Sequence, residues 1–239
     1  MDNERIALKK SLREMGLSQK ISYFFSYYTI HFVLILIALA ILAGSVIRFA
    51  VKKETVLYVA LTNTAIGSSL EADMTENFLA YADLPTRRND VQLYKELYIS
   101  SDPAAENHEY AYASGLKIMA AINAGKIDLV MMNRESYDFF SEKGYLLDLS
   151  SFTAENGPGK ELAPYLSENE VILSDNSLEV ALGEAQETEI RTETVQNAIN
   201  VSSFPIFLRA GFDGDLYMGI IANSPRTETA CLYLRYLLS

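Results

Sequence analysis

From Ile21 to Ile47 no residue carries a formal charge except, conditionally, His31, and most of residues 28–47 are Leu, Ile, Ala and Val. No other feature of the chain limits its architecture so tightly. A bilayer's hydrocarbon interior accepts roughly 20 apolar residues as a helix, which satisfies its own backbone hydrogen bonds where water cannot. The pattern predicts a single transmembrane helix over residues 27–50, preceded by a basic leader at 1–26. A cleavable signal would begin closer to the terminus and end in small residues at a cleavage site. Here a polar leader comes first and Arg48, Lys52 and Lys53 follow, so an uncleaved signal-anchor is expected.

Five bases precede the span (Arg5, Lys9, Lys10, Arg13, Lys20) and three follow it closely, which favours a cytoplasmic N-terminus and an extracytoplasmic C-terminal domain at the cell membrane. Tyr23, Phe24, Phe25, Tyr27, Tyr28 and Phe32 supply an interfacial aromatic belt, beside which His31 reads as an interfacial histidine. Ile6, Leu8, Leu12, Met15 and Leu17, interspersed with Lys and Arg, suggest a short amphipathic helix on the inner surface.

The chain has 31 acids against 20 bases, but residues 1–54 are net basic, so the acidity is concentrated in the remainder. Such a domain is repelled by phosphate backbones, and nucleic acid is not expected as a partner. With Cys231 the only cysteine, an intramolecular disulfide and a Cys-rich zinc site are both excluded.

After the anchor, Thr55–Leu61 is a continuous apolar run that predicts a buried strand. A small-residue loop follows, then a helix over 69–83 with Leu70, Met74, Phe78 and Tyr81 at helical spacing. A second strand is expected over Val91–Ser100. The next helix starts at Ser101-Asp102-Pro103, with Ala113, Leu116, Ala120 and Ala124 as its buried face and Gly125 as its C-terminal cap. Ile127–Met132 reads as a third strand, followed by a short aromatic helix closed by Gly144. Near the end, Leu216–Ala222 predicts a strand and Ser224-Pro225 opens a terminal helix that buries Ala230, Tyr233, Leu234 and Leu237. Alternating strands and helices imply a mostly parallel sheet flanked by helices, an α/β fold.

The run from Gly115 to Val130, the segment from Phe139 to Leu149 with its Gly144-Tyr145-Leu146-Leu147-Asp148-Leu149 exit, and the stretch from Asp215 to Pro225 resemble the first lobe of extracellular solute-binding proteins of ABC transporters. The resemblance implies a bacterial, periplasmic-binding-protein-like lobe at 55–150 and 201–239, a small-molecule solute as ligand, a membrane transporter as partner, and binding instead of catalysis. In that family the chain crosses to a second lobe before returning. Here only residues 151–200 are available, an acidic insert or reduced second lobe in which Val171-Ile172-Leu173 and Leu178–Leu182 read as short strands.

Catalytic constellations are sparse. His108 is the only histidine beyond the anchor, no glycine-rich phosphate loop occurs, and no cofactor or metal is expected. Gly211-Phe212-Asp213-Gly214-Asp215 reads as a turn, and Asp128 as a group that satisfies a neighbouring loop backbone. Open α/β sheets bind ligands beyond the carboxyl ends of their strands. That rule nominates Thr62, Asn63, Thr64, Ser101, Asp102, Asn133 and Arg134 as ligand-binding residues, with ordinary loop capping the competing role for each. The rival reading of the whole chain is a structural or accessory membrane protein that acts through protein contacts.

Overall fold

The structure, a computed structural model, describes Gly16 and residues 30–31, 33–44, 53–100, 102, 107–182 and 187–239. It divides into two compact units, Met1–Lys52 and Lys53–Ser239. In the first, residues 30, 31 and 33–44 are helical, and Ile30, Leu34, Ile35, Leu39, Ile41 and Leu42 are all more than half exposed. No helix among the described residues is long and apolar enough to cross a membrane. The leader at 1–26, Gly16 apart, and much of the expected span at 27–50 lie outside the described residues.

In the second unit, strand β1 (Glu54–Thr62) leads to a helix α1 that runs from Ser68–Ala72 through a π-helical turn, Asp73–Asn77, to Phe78–Tyr81. Strand β2 (Asn89–Leu97), helix α2 (His108–Asn123), strand β3 (Leu129–Met132) and helix α3 (Arg134–Glu142) follow. The chain continues through α4 (Ser150–Thr153), a 3-10 turn (Lys160–Tyr165), β4 (Leu166–Asp175), α5 (Ser177–Ala181) and β5 (Ile190–Asn200). It ends with α6 (Pro205–Arg209), β6 (Tyr217–Ile220) and α7 (Thr227–Leu238).

The strands form one six-stranded sheet in the order β2-β1-β3-β6-β5-β4. Its pleat sends alternate residues to opposite faces. Leu57, Val59 and Leu61 of β1, with Leu129 and Met131 of β3, join Leu70, Met74 and Phe78 of α1 and Tyr233, Leu234 and Leu237 of α7 in one core. Ala60, Val130 and Met132 point the other way, into a second core with Ile118 and Ile122 of α2 and Tyr137 and Phe140 of α3. Two hydroxyls of α7 reach the π turn in α1: that of Tyr236 donates to the Asp73 carbonyl (2.7 Å) and that of Tyr233 to the Met74 carbonyl (2.9 Å). These bonds tie the irregular turn of α1 to α7.

Several expectations are corrected here. The sheet is not mostly parallel: β1 pairs in parallel with β2 and β3, while the β3-β6, β6-β5 and β5-β4 pairings are antiparallel. A parallel return needs a crossover element, and α6, with five residues, rises only about 7 Å. Residues 166–200 are not a reduced second lobe, because β4 and β5 continue the same sheet beyond β6. Leu178 to Ala181 are helical and not a strand, with both Leu178 and Leu182 exposed.

The buried face of α2 is Ala111, Ser114, Ile118 and Ile122, whereas Ala113, Leu116, Ala120 and Ala124 are exposed. This helix is apolar on two sides, so spacing alone does not choose between them. Ser224 does not start α7 directly. Its hydroxyl accepts from the Arg226 N–H (3.1 Å), and the helix begins at Thr227 with the expected four residues buried.

A largely buried polar chain ties β5 and β4 to α3. The Tyr137 hydroxyl donates to Asn197 Oδ1, Asn197 Nδ2 donates to Ser141 Oγ, and Ser141 Oγ donates to the Glu170 carbonyl, each at 2.8 Å. Every member has a partner, the condition under which buried polar groups are tolerated in a core.

A cleft at the carboxyl edge of the parallel strands

The parallel strands β2, β1 and β3 deliver their carboxyl ends to one rim. There a cleft of 470 Å³ opens, lined by Asn63, Thr64, Ala65, Glu96, Leu97, Tyr98, Tyr110, Asn133 and Glu135. This is within the usual volume of small-molecule pockets.

Thr62 is fully buried, and its hydroxyl donates to the Met131 carbonyl (3.2 Å), so it fastens β1 to β3 and does not line the cleft. Asn63 takes a left-handed φ of 53°. Its amide clamps Ile99, accepting from the Ile99 N–H (2.8 Å) and donating to the Ile99 carbonyl (2.7 Å). In effect one side chain extends the β1-β2 ladder past its last backbone pair. Thr64 comes next, and its buried Oγ1 has no hydrogen-bond partner.

Asn133 caps α3 by accepting from the Ser136 N–H (3.0 Å). Arg134 does not line the cleft. It pairs with Asp138 one turn along (2.9 Å) and lies over the Tyr137 ring at 5.5 Å; the hydrogen bond it donates to Asp138 raises its pKa further. Asp102 is exposed and also absent from the lining, while Ser101 lies outside the described residues. Three of the nominated residues therefore meet in one cleft: Asn63, Thr64 and Asn133.

The remaining walls had little signal in sequence. Tyr98 and Tyr110 stack at 6.4 Å between centroids, bringing the end of β2 to the start of α2. The Tyr110 hydroxyl donates to the carbonyl of Glu96, a residue held at φ 61° in the region that L residues rarely adopt. Among the described residues, Glu96 and Glu135 give the lining two carboxylates and no base. Such a wall is suited to hydrogen-bond donors and cations. Among the described residues no group of three or more His, Cys, Asp and Glu could hold a metal.

Asp128 belongs to the opposite edge, just before β3. Its carboxylate accepts from the Tyr58 N–H (2.8 Å), the Ser224 hydroxyl (2.6 Å) and Arg226 Nε (2.8 Å), while the Arg226 guanidinium lies over the Tyr58 ring at 4.7 Å. In place of the neighbouring loop backbone expected for it, the backbone group it serves is in strand β1, and the loop reaches it through side chains.

The chain matches no family model, and no curated protein or solved structure shows significant similarity to it.

Proposed function

We propose that residues 53–239 form a non-catalytic, solute-binding-like domain that takes a small polar or cationic ligand in the carboxyl-edge cleft. The observation that carries this reading is the Thr64 hydroxyl, buried in a loop that lines the cleft and without a partner. A buried polar group without a hydrogen bond costs on the order of 1–3 kcal/mol, and a small shift of the loop on ligand entry would let a ligand's polar group recover it. The strand β6 supports the family reading, since it returns late in the chain to pair with β3 beside the parallel strands.

The test is a thermal-shift panel on residues 53–239 with amines, amino acids, sugars, peptides and metal salts. A true ligand at a hundredfold excess over its Kd stabilises by about 2.7 kcal/mol, roughly 5–10 °C for a domain of this size, and Thr64→Val abolishes the shift. If no compound moves the midpoint, the rival reading gains: an accessory module that works through protein contacts. The exposed Leu173, Leu178, Leu182 and Ile190 on the acidic β4-β5 ribbon favour that rival.

The same proposal holds the domain outside the cell on the residue 27–50 anchor, in line with the exposed apolar side chains of its helical part. Protease added to sealed, right-side-out vesicles then digests 53–239. Protection of that segment rules the arrangement out.

A further inference from the structure

A second concavity is separate from the carboxyl-edge cleft and shares no lining residue with it. It is a groove of 410 Å³ between α2 and α3, along which α2 presents residues from His108 to Met119. At 1.5 Å per residue this wall is about 16 Å long, on the order of an extended ten-carbon chain. Tyr112, Leu116 and Met119, on the side of α2 turned away from the sheet, are 66%, 45% and 42% exposed. Phe139 and Tyr145 face them across the groove. A concave, mainly apolar lining with a few convergent polar groups is the ordinary form of a small-molecule site.

Gly115 sits in the middle of this wall. Glycine inside a helix is less favourable than alanine by about a factor of five in the folding equilibrium. A Cβ at Gly115 would meet nothing within 4 Å, so packing within the domain does not require glycine there. Its effect is to leave the helix backbone open to whatever lies in the groove. Charge narrows the choice of occupant. Within a domain that is strongly acidic overall, this groove has no carboxylate among the described residues that line it and holds two nitrogenous side chains: His108 at the start of α2 and Lys143 at the end of α3.

We propose that the groove binds a small anionic amphiphile, with its hydrocarbon chain laid along α2 over Gly115 and its acidic head at Lys143 and His108. A free fatty acid is the simplest molecule of this chemistry. The inference stands apart from the solute-binding reading, because it concerns a different concavity and different residues.

Residues 53–239 contain all six strands and both cores, so this unit is suited to the measurement. Calorimetric titration with octanoate and decanoate, below their micellar concentrations, should give saturable one-to-one binding. Two added methylenes should tighten it by up to about tenfold. Decanol and decyltrimethylammonium should bind more weakly than decanoate. Lys143→Glu should weaken decanoate by about fivefold and leave decanol unchanged. Gly115→Leu fills the groove without a clash at Cβ and improves helix propensity, so it should fold and lose decanoate binding. Thr64→Val, in the other cleft, should bind decanoate normally. Equal binding of the acid, alcohol and quaternary amine, or undiminished binding in a folded Gly115→Leu variant, overturns the proposal. So does a sedimentation result in which the domain dimerises and Gly115→Leu alone makes it monomeric, which would assign the groove to a second copy.

Discussion

Asp128 is wholly buried, and its two carboxylate oxygens accept from a strand N–H, a loop hydroxyl and a guanidinium. The donors come from two parts of the chain, β1 and the loop that enters α7, so this side chain closes β1, β3 and the entry to α7 onto one another. Asp128→Asn keeps the size but puts an amide donor in place of one acceptor oxygen, against the Ser224 hydroxyl in one orientation and against the Tyr58 N–H and Arg226 in the other. The expected loss is about 2–4 kcal/mol of unfolding free energy in urea, most of it from leaving Arg226 without its counter-charge. Arg226→Met, which removes the cation while the two neutral donors remain, should cost less. A clasp of this kind is only half legible in sequence. That Asp128 would serve backbone could be read from its place at the start of an apolar strand, but its partner lies 98 residues away and nothing local announces it.

At the scale of elements, two glycines on α2 should respond in opposite directions. Gly125 follows the helix at φ 60°, where a Cβ would meet the Pro225 ring at an ordinary 3.5 Å. The cost of Gly125→Ala is therefore backbone strain, about 1 kcal/mol, or roughly 2–4 °C in Tm. Gly115→Ala places its methyl in open space and should raise stability by up to about 1 kcal/mol. Paired thermal melts decide both. The capping role of Gly125 was readable because a left-handed residue after a helix is a local demand. The inward face of α2 was not, since Leu116 and Met119 are as apolar as Ile118 and Ile122, and only the sheet's position decides which pair is covered. The same limit explains the sheet: alternation identified β1, β2 and β3 and their helices, but the pairing of β4, β5 and β6 depends on connections whose direction spacing does not encode. Of the rim, Asn63, Thr64 and Asn133 followed from strand ends, whereas Tyr98 and Tyr110 reach the cleft through their stacking.

For the whole domain, alkaline pH should be the weak side. Burial, with a smaller push from Glu228, raises the Cys231 thiol to about 11, and burial holds the Tyr233 hydroxyl well above its ordinary 10.0. Tyr137 is raised as well, chiefly by burial. The folded state thus keeps protons that the unfolded chain releases from about pH 9 upward. Stability from these groups is complete below that point and declines as pH rises through 9 toward 11 and beyond. A thermal midpoint that is level from about pH 7 to about pH 8.5 and falls above about pH 9 is expected, and Cys231→Ser should delay the first part of the fall. A midpoint rising over that interval would contradict this account.

The two outermost strands of the sheet bear on how the molecule behaves in numbers. β2 carries Asp90, Lys95 and Glu96 and breaks register against β1 twice; β4 carries Glu168, Glu170 and Asp175 and breaks register against β5 twice. An interrupted, charged border is a poor template for another chain to add a strand. If the domain is crowded onto a surface by an anchor, neighbours will meet border to border far more often than they would free in solution. These two irregular margins allow such encounters to end in separation, so that a dense population can remain individual molecules instead of growing into a continuous ribbon.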